Sequence, residues 1–377
     1  MNIRANNAID WTRTVQPGCC IGILGDGQLG RMLALAAAAR GYRTAVLGPG
    51  GRNSPAGQVS FWAEAWDSDA SVPDTLLDAF CEHADVVLVE WENVPVSLVR
   101  RIEAKGIRVC CGSRVLEIAQ DRIKENAFAQ SLGISVPGYE GINRTSYRAG
   151  HMVPVSEPRI LKTCRDGYDG KGQIRINVGE TVHDAWSTLN QVPCILESVV
   201  DFTHELSVIV ARSPYGMCCY GPFVNRHVNG ILRTSVYPSG LPKHAIENAQ
   251  TIGTTLARAL DVHGLLAVEM FLTSSGRVLF NEMAPRPHNS GHLTIECCDT
   301  SQFEQHVLAA CNMPLGSARF HSRGEMTNII GDDVLDLQEF FCSGERKVHL
   351  YGKEHALPDR KMGHITRRWN TSDARTM

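Results

Sequence analysis

The 377-residue sequence has little net charge, no long apolar run and no C-x-x-C pair of cysteines. Its formal net charge of −3 gives no electrostatic field that would attract nucleic acid or an anionic membrane, so we expect neither as a partner. The longest apolar run, residues 33–39, is far too short to span a bilayer, and the N-terminal stretch has no apolar signal-peptide core. We therefore expect a cytoplasmic protein.

The 13 cysteines occur as four adjacent pairs and as single residues. Adjacent residues of a strand point to opposite faces, so these pairs suit neither a disulfide framework nor a zinc site. Most of the cysteines lie in apolar stretches, which indicates reduced thiols in the core of a cytosolic protein. We expect none of them to act as a nucleophile.

The predicted secondary structure changes along the chain. A strand from Cys19, a glycine turn, a helix and a second strand form a βαβ unit, and the alternation that follows predicts a small parallel sheet covered by helices. After Pro137, strands joined by glycine turns indicate antiparallel sheet. The predicted fold class is therefore α/β in the first part and α+β in the middle. The length predicts two or three subdomains.

Residues 25–30, GDGQLG, form a G-x-G-x-x-G motif between a predicted strand and a predicted helix, as in a dinucleotide-binding turn. Two features argue against NAD. Asp26 places a carboxylate where the pyrophosphate would lie, and the second strand ends in residues 48–51 without an acid for the ribose. The helix N-terminus could still bind a single phosphate, with Gln28 as a donor. Alternatively, the glycines only permit a tight turn.

A predicted hairpin turns at residues 274–277 and places Glu269 opposite Glu282. Opposed side chains share a face with their Cβ atoms about 5 Å apart, so the two carboxylates should repel unless a cation lies between them. Mg²⁺ held by one or two carboxylates and substrate phosphates is the usual arrangement at ATP sites. The alternative is a solvated pair, but Phe271 and Phe280 are predicted on the same face and argue that it is covered.

Lys162 ends a predicted strand, and Lys171 follows within the glycine-rich loop GYDGKGQ at residues 167–173. This loop is not a P-loop, because the G-x-x-x-x-G-K-[ST] spacing is absent and because the loop joins two predicted strands. It can nevertheless fold over a polyphosphate, with backbone N–H and ammonium groups facing the negative charge. An ordinary mobile hairpin tip is the alternative.

Taken together, these segments resemble the ATP-grasp superfamily and, within it, the N5-carboxyaminoimidazole ribonucleotide synthase family. The resemblance extends from about residue 21 to about residue 366. Its motifs are GDGQLGRM at 25–32, SPAGQV at 54–59, EWENVP at 90–95, QDR at 120–122, LKTCRDGYDGKGQ at 161–173, NEMAPRPHNSGH at 281–292, TSQFEQH at 300–306 and RKMGH at 360–364. The combination of NEMAPRPHNSGH with GYDGKGQ is specific to this family. Asp26, Trp91 and the Gly48-Pro49 region depart from the family pattern.

The resemblance implies an ATP-grasp fold in three parts. These are an N-terminal Rossmann-like domain with a parallel sheet at residues 1–118, a central two-lobed ATP-grasp domain at 119–312 and a small C-terminal domain at 313–377. A mobile lid lobe would comprise about residues 156–203 of the central domain. The resemblance also suggests a homodimer.

ATP is the implied cosubstrate, bound with Mg²⁺, for which Mn²⁺ could substitute. Glu269 and Glu282 are the implied metal ligands, which agrees with the hairpin prediction. Residues 197–200 would form the hinge that contacts adenine, and Glu205 would bind the ribose hydroxyls. The implied ATP contacts are Arg122, Lys162, Gly167, Tyr168, Asp169, Gly170, Lys171, Gly172, Gln173, Glu197, Ser198, Val199, Val200, Glu205, His227, Asn281 and Glu282.

The implied reaction is the ATP- and bicarbonate-dependent carboxylation of the amine of 5-aminoimidazole ribonucleotide, through carboxyphosphate, in purine biosynthesis. Arg286 and His288 would hold bicarbonate or its phosphorylated form, and Asp169 would orient or deprotonate the amine. His288 could instead be a structural residue that caps a turn. The implied substrate contacts are Gln28, Glu92, Asn93, Asn289, Ser290, Lys353, Arg360 and Lys361.

Three alternatives remain at this point. A sibling ATP-grasp ligase, such as a formate-dependent glycinamide ribonucleotide transformylase, would share the metal pair and change the acceptor. A nucleotide-binding regulator without turnover would not need the paired glutamates. An NAD-dependent oxidoreductase would need the acid that is missing after the second strand.

Overall fold

The structure is a computed structural model that describes residues 9, 11–67, 71–167, 170–336 and 346–369. The first part of the chain alternates strands and helices: β1 (Cys20–Leu24), α1 (Gln28–Ala39), β2 (Arg43–Gly48), β3 (Trp62–Ala65), α2 (Asp74–His83), β4 (Val86–Val89) and α3 (Val96–Ala104). The strands form a parallel sheet in the order β3-β2-β1-β4. This sheet confirms the predicted α/β part.

A second four-stranded sheet is antiparallel and lies largely in the segment predicted as the lid lobe, so we call it the lid sheet. Two helices lead into it, and the elements in order are α4 (Gly112–Ala119), α5 (Arg122–Ser131), β5 (Tyr139–Ile142), β6 (Arg159–Thr163), β7 (Gln173–Ile176), α6 (Val182–Thr188) and β8 (Cys194–Ser198). The strand order is β5-β8-β6-β7. The glycine-rich loop connects β6 to β7, as the hairpin pattern predicts.

The third sheet has eight antiparallel strands. Its elements are β9 (Phe202–Ser213), β10 (Gly216–Val228), β11 (Ile231–Tyr237), α7 (Lys243–Ala259), β12 (Gly264–Thr273), β13 (Val278–Ala284), α8 (Thr294–Cys297), α9 (Gln302–Ala310), β14 (Arg323–Ile330), β15 (Arg346–Leu350) and β16 (Lys361–Trp369). The strand order is β13-β12-β9-β10-β11-β14-β16-β15. The C-terminal strands therefore extend the sheet of the central part, and the predicted boundaries at residues 118 and 312 stay predictions.

Alternation along β9 gives the large sheet two different faces. Leu206, Val208 and Val210 pack in the core that also contains residues of α7, and burying each such side chain contributes about 1.5–3 kcal/mol. Glu205, which precedes Leu206, and Ser207, which follows it, face the opposite side of the sheet. The strand therefore anchors a core on one face and supplies polar groups to the other.

The β12–β13 hairpin differs from its prediction in one respect. Glu269 pairs with Glu282 as predicted, but a bulge at Asn281 shifts the register, so that Phe271 pairs with Leu279. Phe271 lies on the side of Glu269, whereas Phe280 is buried in the core under α7. The prediction that both phenylalanines share the face of the glutamates is wrong, because it assumed a regular ladder.

Among the helices in the described part of the chain, none combines the length and apolar character needed to cross a membrane. The twelve cysteines that the structure describes are all free thiols, and most of them are buried.

Candidate active site

A cavity of about 610 Å³ lies between the end of the parallel sheet, the lid sheet and the large sheet. It brings together most of the predicted site residues: Gln28, Glu92, Asn93, Arg122, Lys162, Gly167, Gly170, Lys171, Gly172, Gln173, Glu205, His227, Glu269, Asn281, Glu282, Arg286, His288, Asn289 and Lys361. Gln28 and Lys361, from opposite ends of the sequence, thus face the same space.

Three oxygen-bearing side chains from the β12–β13 hairpin line this cavity. Glu269 lies opposite Glu282, and the bulge also places Asn281 at the cavity wall. The buried Oδ1 atom of Asn281 has no hydrogen-bond partner among the described residues. Carboxylate and amide oxygens are the ligands that Mg²⁺ prefers in proteins, with substrate phosphates completing the shell. These residues therefore fit a magnesium ion.

Both glutamates are paired with cationic or protonatable side chains. Glu282 Oε2 lies 2.7 Å from Arg122 Nη1, and Glu269 Oε1 lies 2.8 Å from His288 Nε2. Burial raises the pKa of Glu269, but the charge of His288 and its hydrogen bond outweigh burial and lower the pKa to about 2. Glu269 is therefore ionised at neutral pH, as a metal ligand must be.

The lid sheet contributes a lysine and the glycine-rich loop to the cavity wall. Lys162 Nζ lies 2.7 Å from Glu197 Oε2, and the two side chains are only 11% and 6% exposed. Gly172 has a φ of +72°, and a Cβ there would lie 2.7 Å from Thr163 Oγ1, so the loop requires glycine at this position. The arrangement places a buried cation and a pliable backbone along the cavity wall, where a polyphosphate can be held.

Arg286 is held by an acidic neighbour and by the chain itself. Its Nε donates to Glu92 Oε2, and its Nη1 donates to the carbonyl of Pro287 at 2.9 Å. Burial raises the pKa of Glu92, but the adjacent guanidinium outweighs burial and lowers that pKa. Glu92 therefore fixes the charge and orientation of Arg286 in addition to lining the cavity.

A chain of buried hydrogen bonds runs from His288 into the large sheet. Ser290 Oγ lies 2.8 Å from His288 Nδ1 and accepts from Ser207 Oγ at 2.7 Å. Asn225 Nδ2 donates to Ser207 Oγ at 2.9 Å, and Ser235 Oγ donates to Asn225 Oδ1 at 2.6 Å. Ser290 is 0% exposed and does not line the cavity, and its role as a substrate contact stays a prediction. In this structure its hydroxyl orients the imidazole of His288.

The G-x-G-x-x-G turn holds a carboxylate of the protein itself. Glu90 accepts from the N–H of Gly27 at 2.9 Å and from the N–H of Gly30 at 3.1 Å, at the N-terminus of α1. Asp26 in turn accepts from the N–H groups that open the next loop, at residues 50 and 51. Glu90 thus occupies two of the donors at this helix N-terminus, while Gln28 and Leu29 line the cavity, so the possible phosphate there stays a prediction.

Several predicted residues are not brought to the cavity. Ser198 Oγ accepts from Arg159 Nη1 at 2.5 Å, and Arg360 Nη1 donates to the His355 carbonyl at 3.0 Å. The predicted residues that do not line the cavity are Glu197, Ser198, Val199, Val200, Ser290, Lys353 and Arg360. Tyr168 and Asp169 lie outside the described residues, so their predicted roles stay predictions.

Glu125 and Phe202 are cavity residues that the sequence analysis missed. Glu125 is 2% exposed, accepts from the Met283 N–H at 3.1 Å and lies beside Arg122. Its position in a polar helix gave no signal. Phe202 and Phe271 stack with ring centroids 4.8 Å apart, forming a flat apolar wall. The alternation from Glu269 had placed Phe271 on this face, but nothing in the sequence indicated its partner.

The two antiparallel sheets, the paired glutamates and the lysine-bearing loop define an ATP-grasp enzyme, and the ATP-grasp domain model matches residues 127–303. The ribonucleotide synthetase preATP-grasp domain model matches residues 19–120, and that of the phosphoribosylaminoimidazole carboxylase C-terminal domain matches residues 325–375. The chain belongs to the N5-carboxyaminoimidazole ribonucleotide synthase family, which confirms the resemblance.

Individual relatives support this assignment. The N5-carboxyaminoimidazole ribonucleotide synthase of Bacillus subtilis is 40% identical over 357 residues, which cover 93% of this chain and 92% of the relative. The crystal structure of an ADP complex of an N5-carboxyaminoimidazole ribonucleotide synthetase matches with a TM-score of 0.87 at 38% identity, covering 95% and 94% of the two chains. The Aspergillus clavatus enzyme in complex with ADP and 5-aminoimidazole ribonucleotide matches with a TM-score of 0.85 at 26% identity, covering 96% and 95%.

Proposed function

We propose that this ligase carboxylates the amine of 5-aminoimidazole ribonucleotide with bicarbonate, converting ATP to ADP and phosphate. The observation that carries the proposal is the convergence of Glu269, Asn281 and Glu282 with a set of cationic side chains in one cavity. The complex of the Aspergillus clavatus relative with ADP and 5-aminoimidazole ribonucleotide supports the choice of substrates. The expectations of a cytoplasmic location and of a homodimer stay predictions.

The first step joins bicarbonate to the γ-phosphate of ATP. A bicarbonate oxygen attacks phosphorus and the bond to ADP breaks, giving carboxyphosphate. Lys162 and Arg122 stabilise the charge on the phosphoryl oxygens, and Arg286 and His288 hold the bicarbonate. Mg²⁺, or Mn²⁺ in its place, held by Glu269 and Glu282, would neutralise charge that develops on the phosphates.

The second step transfers the carboxyl group. The amine nitrogen attacks the carboxyl carbon, the bond to phosphate breaks, and the amine loses a proton. Lys361, which lines the cavity, is suited to hold the ribonucleotide phosphate, with Gln28 and Asn93 as further donors. Asp169 is proposed to orient the amine.

An assay of ADP release tests the proposal. We expect release to depend on both bicarbonate and 5-aminoimidazole ribonucleotide, and to be at least about 100-fold slower in Glu282→Gln, since a metal-bound charge at the transferring phosphate is lost. Glu117→Gln is the matched control, because Glu117 also pairs with an arginine at 2.6 Å but lies outside the cavity. Dependence on formate and glycinamide ribonucleotide instead would show the sibling transformylase reaction, and full activity of Glu282→Gln would refute the metal assignment.

A further inference from the structure

A second cluster of ligand-type side chains lies outside the cavity, where the C-terminal strands meet α8. His349 of β15 and His364 of β16 are direct cross-strand partners, and Glu296 of α8 lies over them. One ligand atom from each of the three residues lies within 4.8 Å of the other two. The two imidazole rings stack at a centroid distance of 4.6 Å, so both are turned the same way.

Two atoms of this cluster are buried without a hydrogen-bond partner. They are Glu296 Oε2 and His364 Nε2, and neither has a partner within the described ranges of the chain. The Glu296 side chain is 9% exposed and His364 is 0% exposed, so water outside the protein does not replace the missing partners. Buried polar atoms are nearly always satisfied, and an unsatisfied pair at one point indicates a group that the three residues bind.

The surroundings suit coordination. His364 Nδ1 shares a hydrogen bond of 2.9 Å with the Tyr351 hydroxyl, which leaves Nε2 as its ligand atom. A metal-binding histidine usually has its other ring nitrogen held in this way. His349 Nε2 contacts Glu296 Oε1 at 2.6 Å, and the His349 side chain is 33% exposed, which gives an ion a path from solvent.

We infer that Glu296, His349 and His364 bind one zinc ion, with a fourth position open to water. Two imidazoles and one carboxylate are a ligand set of zinc sites and not of magnesium or calcium sites. A tetrahedral zinc ion with bonds of 2.0–2.1 Å places its ligand atoms about 3.3 Å apart. The present separations of up to 4.8 Å therefore require a small inward movement, for which the partly exposed His349 has room.

The consequence would be a link between three elements. The ion would tie α8, which follows the segment that carries Arg286 and His288, to the strands that carry Lys361. The site is separate from the proposed magnesium site, because none of its three residues lines the cavity. Its existence does not depend on the proposed reaction.

Metal titrations of the full chain, freed of metal by chelator dialysis and kept without ATP, test the inference. We expect one equivalent of Zn²⁺ to bind by calorimetry, and Co²⁺ to give the visible absorption of a four-coordinate site. His349→Ala and Glu296→Gln should each weaken Zn²⁺ binding at least about tenfold. Zn²⁺ should also raise the thermal unfolding midpoint of the wild type and not of these variants. His364→Gln should also weaken Zn²⁺ binding. Since His364 is buried, this variant could fail to fold, and His349→Ala and Glu296→Gln then decide the outcome.

Two control variants exclude other histidine sites. His355→Ala removes an exposed histidine, 71% exposed, that also lies near a glutamate, at 3.9 Å, and it should keep the bound equivalent. His288→Gln removes the histidine of the cavity and should keep it as well. The inference is refuted if the wild type binds no Zn²⁺, if His349→Ala and Glu296→Gln bind it like the wild type, or if His288→Gln abolishes binding.

Discussion

Replacing Ser290 by alanine tests the hydrogen-bond chain that supports His288. Ser207 Oγ donates to Ser290 Oγ at 2.7 Å, and Ser290 Oγ shares a hydrogen bond of 2.8 Å with His288 Nδ1. The substitution leaves the Ser207 hydroxyl without its acceptor at a position that is 0% exposed. An unsatisfied buried group costs about 1–3 kcal/mol, so the free energy of unfolding should fall by about that amount.

The same change should slow catalysis. If the imidazole loses its orientation in the transition state, kcat should fall about 10- to 100-fold, which corresponds to about 1.4–2.7 kcal/mol in the barrier. The KM for ATP should change little, because Ser290 does not line the cavity. Ser207→Ala should give a smaller loss, since it leaves the bond between Ser290 and His288 in place.

Urea unfolding and steady-state ADP release measure the two effects. Ser213→Ala is the matched control, because Ser213 is a buried serine on the same strand as Ser207, 4% exposed, whose Oγ accepts from a backbone N–H away from the cavity. A folded Ser290→Ala variant with the kcat of the wild type would refute the positioning role of this chain. A raised KM for ATP with unchanged kcat would point to a substrate contact instead.

Three further outcomes are expected. Asn281→Ala should raise the Mg²⁺ concentration for half-maximal ADP release about tenfold, because it removes roughly one charge-assisted contact. An unchanged Mg²⁺ concentration would contradict the role of Asn281 as a ligand. Glu90→Ala should lower the free energy of unfolding by about 1.5–3 kcal/mol, as the N–H groups of Gly27 and Gly30 lose a carboxylate, without creating NAD affinity measurable by fluorescence titration. Burial lowers the pKa of His306 to about 3 from 6.5. Between these two pH values the unfolded chain binds a proton that the folded chain does not, so the free energy of unfolding decreases as the pH is lowered. Between pH 7.5 and 5.5 this loss is roughly 1.4 kcal/mol, and His306→Gln should reduce the shift of the urea midpoint accordingly.

The β12–β13 hairpin shows how far local sequence reasoning reaches. The turn residues and the alternation identified both strands and placed Glu269 opposite Glu282. The ladder near the turn is nevertheless shifted by one residue, and the bulge at Asn281 restores the predicted pairing at the glutamates. A bulge depends on how the strand packs and twists against its neighbours, so the sequence of the hairpin gave no sign of it. The face of Phe280 was therefore predicted wrongly, although the pairing of Glu269 with Glu282 was predicted correctly.

The contacts that complete the site join distant parts of the chain. Glu90 reaches the N–H of Gly27 across 63 positions, and Arg122 reaches Glu282 across 160. The motifs predict Arg122 near the phosphates but do not show that it also pairs with Glu282. Likewise, G-x-G-x-x-G describes a turn with free donors, and only the fold reveals that a carboxylate at the end of another strand occupies two of them.

These pairings constrain how substrates enter the site. Arg122 lies against Glu282, and His288 lies against Glu269. Each side chain proposed to bind an anionic substrate is therefore paired with a carboxylate proposed to bind the metal. Breaking the pair of Glu269 with His288 alone would leave a carboxylate that is only 16% exposed without this partner, which is unfavourable. With Mg²⁺ and ATP both present, the glutamates would hold the metal, and Arg122 and His288 would contact the phosphates and bicarbonate. Metal without nucleotide would have to displace Arg122 from Glu282 with no phosphate for the guanidinium to contact. The arrangement therefore favours binding of the two as one complex.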